Sequence, residues 1–175
     1  MTITRPSPRV TSTWADELTD KVNLMEVYLN TAQRTVIKQV DETVNNSATL
    51  QDDDEFLFAV GTAFARYTVR GRIVFNSGAT PDIKSGWSGP AGFSMSWSTI
   101  GFTGGVWQSN TATEAGTLAI DGPGADDEFF IEGVVIVGGT TGTLRYRWAQ
   151  NTANASNTIV RANSSLTLTL AGTFS

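Results

Sequence analysis

Between Ala65 and Phe75 the chain reads ARYTVRGRIVF. Tyr67, Val69, Gly71 and Ile73 fall on one side of this stretch, while Arg66, Thr68, Arg70 and Arg72 fall on the other. A period of two, with arginine on one face, is the pattern of a half-buried strand and cannot be laid on a helix. Outward from it the rhythm of strand and turn repeats. Asn76 to Pro81 (NSGATP) is a turn cluster, and further short strands are expected at Ile83 to Trp87, Ser94 to Ile100, Gly105 to Gln108 and Thr117 to Ile120. The last of these ends at the turn Asp121-Gly122-Pro123-Gly124. Phe129 to Val137 (FFIEGVVIV) is the most apolar run and is expected at the centre of a sheet. Leu144 to Gln150, Thr158 to Arg161 and Leu166 to Leu170 follow, and Phe56 to Val60 precedes them all. Eight to ten short strands with regular turns predict an all-β protein, an antiparallel β-sandwich of jelly-roll-like character, over residues 51–175.

The composition agrees. Of 175 residues, 40% are hydrophobic and only 17% charged, with 25 Thr and 14 Ser supplying the neutral polar surface. Threonine is β-branched and suits a pleated face. The net charge of −5 disfavours a phosphate backbone as partner, and no stretch approaches the length of a membrane span. The chain contains neither Cys nor His, which removes disulfides, thiolate nucleophiles, the imidazole base and zinc or haem sites built on them.

Residues 1–34 read differently from the rest. Pro6 and Pro8 make an extended arm without the apolar core of a secretion signal, so synthesis in the cytoplasm is expected. Thr13 is a plausible N-cap, with Asp16 and Glu17 in a first helical turn. Leu18, Val22, Met25 and Leu29 then recur as one helical stripe, with Trp14 and Tyr28 at its edges. That short amphipathic helix either packs on its own domain or docks on a partner or sister copy. Its place between an arm and a β domain favours docking. Residues 35–50 read as a connector carrying a first strand near Thr35 to Val40, with a turn at Asn45 to Ser47.

Candidate chemistry is sparse. Two acidic clusters, Asp52, Asp53 and Asp54 with Glu55, and Asp126 and Asp127 with Glu128, each lead into a strand that opens on Phe. They could hold Ca²⁺ through carboxylate oxygens, or face one another as a glycosidase pair, or simply solvate loops beside sticky strands. Neither matches the calcium-loop motif, and the solvating role is the simplest. No cofactor is expected. Trp87, Phe93, Trp97, Phe102 and Trp107 lie dense in sequence; Trp87, Trp97 and Trp107 are candidates either for the core or for a face that binds a partner or a glycan. Lys21, Lys38 and Lys84 stand in no nucleophile motif. An enzyme is not expected.

Three stretches carry a resemblance: a Pro-containing start leading to Trp-Ala and a helix over 13–29; TLQDDDEFLFAV at Thr49 to Val60, followed by RYTVRGRIVFNSGATPDIKSGWSGPAG at Arg66 to Gly92; and GTLRYRWAQNTANASNTIVRANSSLTLTL at Gly142 to Leu170. In these the chain resembles structural proteins of tailed bacteriophages of actinobacteria, the minor structural, head-fibre, capsid-decoration and tail proteins. The helix departs from the alanine-rich version commoner among them. The resemblance implies a virion component on the particle surface, a homo-oligomer with a trimer favoured, in contact with the major capsid protein or other virion proteins. It marks no active site and does not choose between head and tail.

Overall fold

A computed structural model describes residues 16–22, 33–103 and 106–175. It divides into two units, 1–32 and 33–175. In the first, residues 16–22 form a helix. Leu18 and Val22 lie on it, one turn apart, and both are exposed; Trp14, Met25, Tyr28 and Leu29, the other residues expected in the docking stripe, lie outside the described residues.

The second unit is an antiparallel β-sandwich of twelve strands among the described residues: β1 (Gln33–Ile37), β2 (Glu42–Val44), β3 (Gln51–Val60), β4 (Ala65–Ser77), β5 (Ile83–Ser88), β6 (Ser94–Thr103), β7 (Val106–Thr113), β8 (Leu118–Ile120), β9 (Asp126–Val137), β10 (Gly142–Gln150), β11 (Thr158–Val160) and β12 (Ser165–Thr173). One sheet has eight strands, in the order β1-β12-β4-β9-β6-β7, with β11 continuing beside β4 and β2 beside β11. The other has four, in the order β3-β10-β5-β8. From β3 onward the chain changes sheet at most of its connections, so strands close in sequence face one another across the core. That is the jelly-roll-like path.

The alternating stretch of β4 and the apolar run of β9 lie in the middle of the larger sheet, paired with each other from Ala65↔Val137 to Asn76↔Asp126. Along β4 the inward positions Tyr67, Val69, Ile73 and Phe75 are buried, and along β9 so are Phe129, Ile131, Val135 and Val137. The smaller sheet answers with Phe56, Phe58, Val60, Ile83, Leu144, Tyr146 and Trp148. Four rings run edge to face from sheet to sheet: Trp97 on Trp87 (centroids 6.2 Å), Trp87 on Tyr146 (5.4 Å) and Tyr146 on Phe56 (5.9 Å). Tilted contacts at this spacing are favourable beyond the area they bury. Burial and the Ser85 hydroxyl, 2.7 Å away, act oppositely on the Tyr146 phenol, and burial prevails in raising its pKa.

The first strand expected near Thr35 to Val40 is β1, the edge strand beside β12 from Gln33↔Thr169 to Ile37↔Ser165, and residues 35–50 also hold β2, which pairs with β11. One expectation is corrected: the acidic clusters are not loops, because β3 begins at Gln51 and β9 at Asp126.

Candidate functional site

Beneath the edge of the sandwich, just after β1, lies a buried charge cluster. The Lys38 side chain is fully buried (0% exposed) and its Nζ donates to Asp53 Oδ2 at 2.9 Å and to Glu42 Oε2 at 2.8 Å, with Glu55 Oε1 at 3.9 Å. Lysine is almost never fully buried unless paired. Its backbone is pinned as well, since Lys38 N–H donates to the Ser164 carbonyl and the Lys38 carbonyl accepts from Asn163 N–H, both at 2.8 Å.

Asp53 reaches the interior through an irregularity in β3. Where β3 pairs with β10, Arg145 faces Leu57 but Arg147 faces Asp52, so β3 carries extra residues there. Such a bulge breaks the alternation and frees N–H groups from the ladder. Asp53 Oδ1 accepts two of them, from Glu55 and Phe56, each at 3.0 Å. Its Oδ2 also accepts the Trp148 indole N–H at 3.2 Å. Glu42 is held by Gln51, whose Nε2 donates to Oε1 at 2.7 Å, and by the Asp54 N–H on Oε2. The Phe56 ring closes the site, 5.7 Å from Nζ. Burial pulls the Lys38 ammonium down, but the hydrogen bonds to Glu42 and Asp53 outweigh it and the net shift is upward. Burial pushes the Glu42 carboxyl up, against the opposing bond from Lys38.

The second feature is the outer face of the eight-stranded sheet. Register aligns Thr35, Thr167, Arg70, Glu132, Ser98 and Thr111 in one row across six strands, and Ile37, Ser165, Arg72, Phe130, Ile100 and Ser109 in the next. Arg70 meets Glu132 at 2.7 Å and Arg72 is paired with Glu128, both in the open, where such pairs contribute little. Ile100, Phe102, Phe130 and Val134 stand exposed among them. Two adjoining open grooves of about 480 and 530 Å³ run along this face, sharing Arg72 and Phe130.

The sequence-derived candidates distribute as follows. Trp87 and Trp97 are core residues, 4% and 2% exposed, so the expected partner or glycan face does not include them. They sit at inward positions of β5 and β6, and their rings meet edge to face. The side chain of Trp107 lies outside the described residues. Nor are the five calcium candidates brought together as one set of ligands. Asp53 points inward to Lys38 while Asp52 points outward to Arg145 and Arg147 (3.3 and 3.1 Å), and Asp126 is bound by Arg161 at 2.8 Å and Asn76 at 2.8 Å. Asp54 and Asp127 are drawn into no such set, and among the described residues no group of three acidic side chains could hold a metal ion. Sequence reading missed Lys38. The available signal was a lone cation inside TVIKQV (35–40), flanked by Ile37 and Val40, which are both exposed; the usual inside-outside assignment is inverted there.

No family model matches the sequence. No curated protein matches it either. Among solved structures the chain is similar to the CBM22-1–GH10 modules of Clostridium thermocellum xylanase 10B complexed with xylohexaose (TM-score 0.35, 10% identity), over 83% of this chain and 27% of that one. It is similar to infectious bursal disease virus, Gx strain (TM-score 0.22, 12% identity, 78% of this chain and 40% of that one). It is also similar to a pentameric capsid protein from metagenomic phage sequences (TM-score 0.20, 12% identity, 99% and 82%). The chain thus spans well under half the length of the first two.

Proposed function

We propose that this chain is a non-enzymatic structural protein of a tailed-bacteriophage particle, a capsid decoration or head-fibre protein held by residues 1–32 and displaying its sandwich on the virion surface. The observation that carries the reading is the outer face of the larger sheet. It is a broad, hydroxyl-rich surface with Ile100, Phe130 and Val134 exposed between Arg–Glu pairs, the chemistry of a protein–protein contact. The likeness of Thr49 to Val60, Arg66 to Gly92 and Gly142 to Leu170 to phage structural proteins supports it. The partners are the major capsid protein or other virion proteins and sister copies, with a trimer favoured. Removing residues 1–32 is expected to abolish incorporation into particles while the sandwich still melts cooperatively. A truncated chain that enters particles as the full one does would overturn the anchoring role.

A tail or baseplate adhesin for host glycan is the second reading, favoured by one observation: Phe102 and Phe130 line an open groove beside Arg72, Asp126 and Glu128. Rings next to charged side chains suit a sugar's apolar faces and hydroxyls. Saccharide-dependent binding on a glycan array, lost in Phe130→Ala, would favour this reading over decoration.

A further inference from the structure

We propose that Lys38 and Asp53 condense with each other into an intramolecular isopeptide bond, with Glu42 as the catalytic proton relay. The inference is independent of the virion reading and rests on how the three side chains are held. An amine and a carboxylic acid do not condense in water, because both are ionised and water competes. Here both are withdrawn from water, with the Lys38 and Asp53 side chains 0% exposed. They are also already in contact, Nζ lying 2.9 Å from Oδ2, so the carboxyl carbon is one bond further. Reacting atoms fixed at about 3–3.5 Å gain effective molarities on the order of 10⁵ M or more. A buried ion pair keeps much of its desolvation cost, whereas a buried amide carries no net charge.

Each remaining element of acyl transfer is present. One proton of the ammonium passes to Asp53 Oδ2 along the existing hydrogen bond, leaving a neutral amine and a neutral acid. The Nζ lone pair attacks the Asp53 carboxyl carbon, the N–C bond forms, and the carbonyl electrons move onto Oδ1. That oxygen already accepts the backbone N–H groups of Glu55 and Phe56, which serve as an oxyanion hole. Glu42, 2.8 Å from Nζ, takes a proton from the now cationic nitrogen and passes it to the Oδ2 hydroxyl. The C–Oδ2 bond breaks and water departs as the Oδ1 electrons return. The third ammonium hydrogen stays as the amide N–H, Glu42 is again a carboxylate, and charge and atoms balance without a further reactant. Glu42, alone of the three, is partly exposed (12%), which gives the water a way out. The bond would join the residue after β1, at the edge of one sheet, to β3 in the other. A pull on the N-terminal segment would then meet a covalent link between the sheets.

Mass spectrometry of the purified full-length chain tests this directly. The intact protein is expected to be lighter than its sequence by one water. Trypsin is expected to spare Lys38 and release residues 35–66 as a single peptide lacking that water, with fragmentation placing the loss between Lys38 and Asp53. Lys38→Arg keeps the cation but removes the nucleophile, and should restore the full mass. Glu42→Gln should also retain the full mass in a folded chain. A folded wild-type protein of full mass, cut after Lys38, overturns the bond, as does a lost water that maps elsewhere, such as Asp121-Gly122. A Glu42→Gln chain that still loses the water overturns the relay.

Discussion

Gly71 shows how little room single positions in the central strands leave. A methyl group there would run into the Ser165 carbonyl oxygen and the Leu166 side chain, whereas at Gly61 it would meet nothing within 4 Å. Gly71→Ala is therefore expected to destabilise by about 1–3 kcal/mol, the usual cost of overpacking, and Gly61→Ala to leave the urea midpoint nearly unchanged. Arg161 makes a second, electrostatic case. It binds Asp41 at 2.7 Å and Asp126 at 2.8 Å. The Ala162 N–H and Arg161 lower the Asp41 carboxyl, and Asn76 and Arg161 lower that of Asp126. A carboxyl whose folded pKa is depressed contributes stability that is full above its unfolded value, near 4, and is lost as pH falls through the folded one. Arg161→Gln should thus weaken the fold at neutral pH, with the gap to wild type closing below about pH 4. Denaturant midpoints across that range would show it; a gap independent of pH would contradict it. At this scale the sequence was legible where chemistry is periodic and opaque where it is not. Trp87 and Trp97 could be placed in core or on a surface from sequence, and the register decides for the core. Lys38 was invisible because its partners come from two other strands.

Among elements, β4 was readable because Ala65 to Phe75 alternates without interruption, and β9 because Phe129 to Val137 is the most apolar run; the acidic start of β9 at Asp126 was not. β3 was half readable. Its second half, Phe56 to Val60, alternates, but the bulge shifts the parity between Asp53 and Phe56, so four consecutive acidic residues resemble a loop. β1 was recognised as a strand but assigned to a connector, since only its pairing with β12 makes it part of the sheet. That difference has a measurable consequence. A chain starting at Gln33 keeps every core residue found among the described residues and should unfold cooperatively. A chain starting at Gln39 loses β1 and Lys38 together and leaves Asp53 buried without its cation. Stranding a buried charge costs about 3–5 kcal/mol, a large part of a typical domain's stability. Circular dichroism melts of the two fragments should therefore differ sharply, and equal melting temperatures would show that Lys38 holds nothing together.

For the whole molecule, a sheet of eight strands packed on one of four leaves the larger sheet with a wide outward surface. The hydroxyl-rich composition that suggested β structure is on that surface, in rows of Thr and Ser crossed by Arg–Glu pairs. Low charge and exposed Ile100, Phe130 and Val134 suit a module held close to neighbours at high copy number, where like charges would repel. The fold class was fully legible from turn spacing and alternation; the surface that matters was not, because it depends on strands brought together from residues 33 to 173. We propose that this sandwich is built into a phage particle, and cryo-electron microscopy of intact virions carrying the full-length chain would show it there. Symmetry-related copies of the sandwich are expected on the outer surface of the head, with the N-terminal segment toward the shell. Purified particles in which no density fits the sandwich, at head or tail, would contradict it.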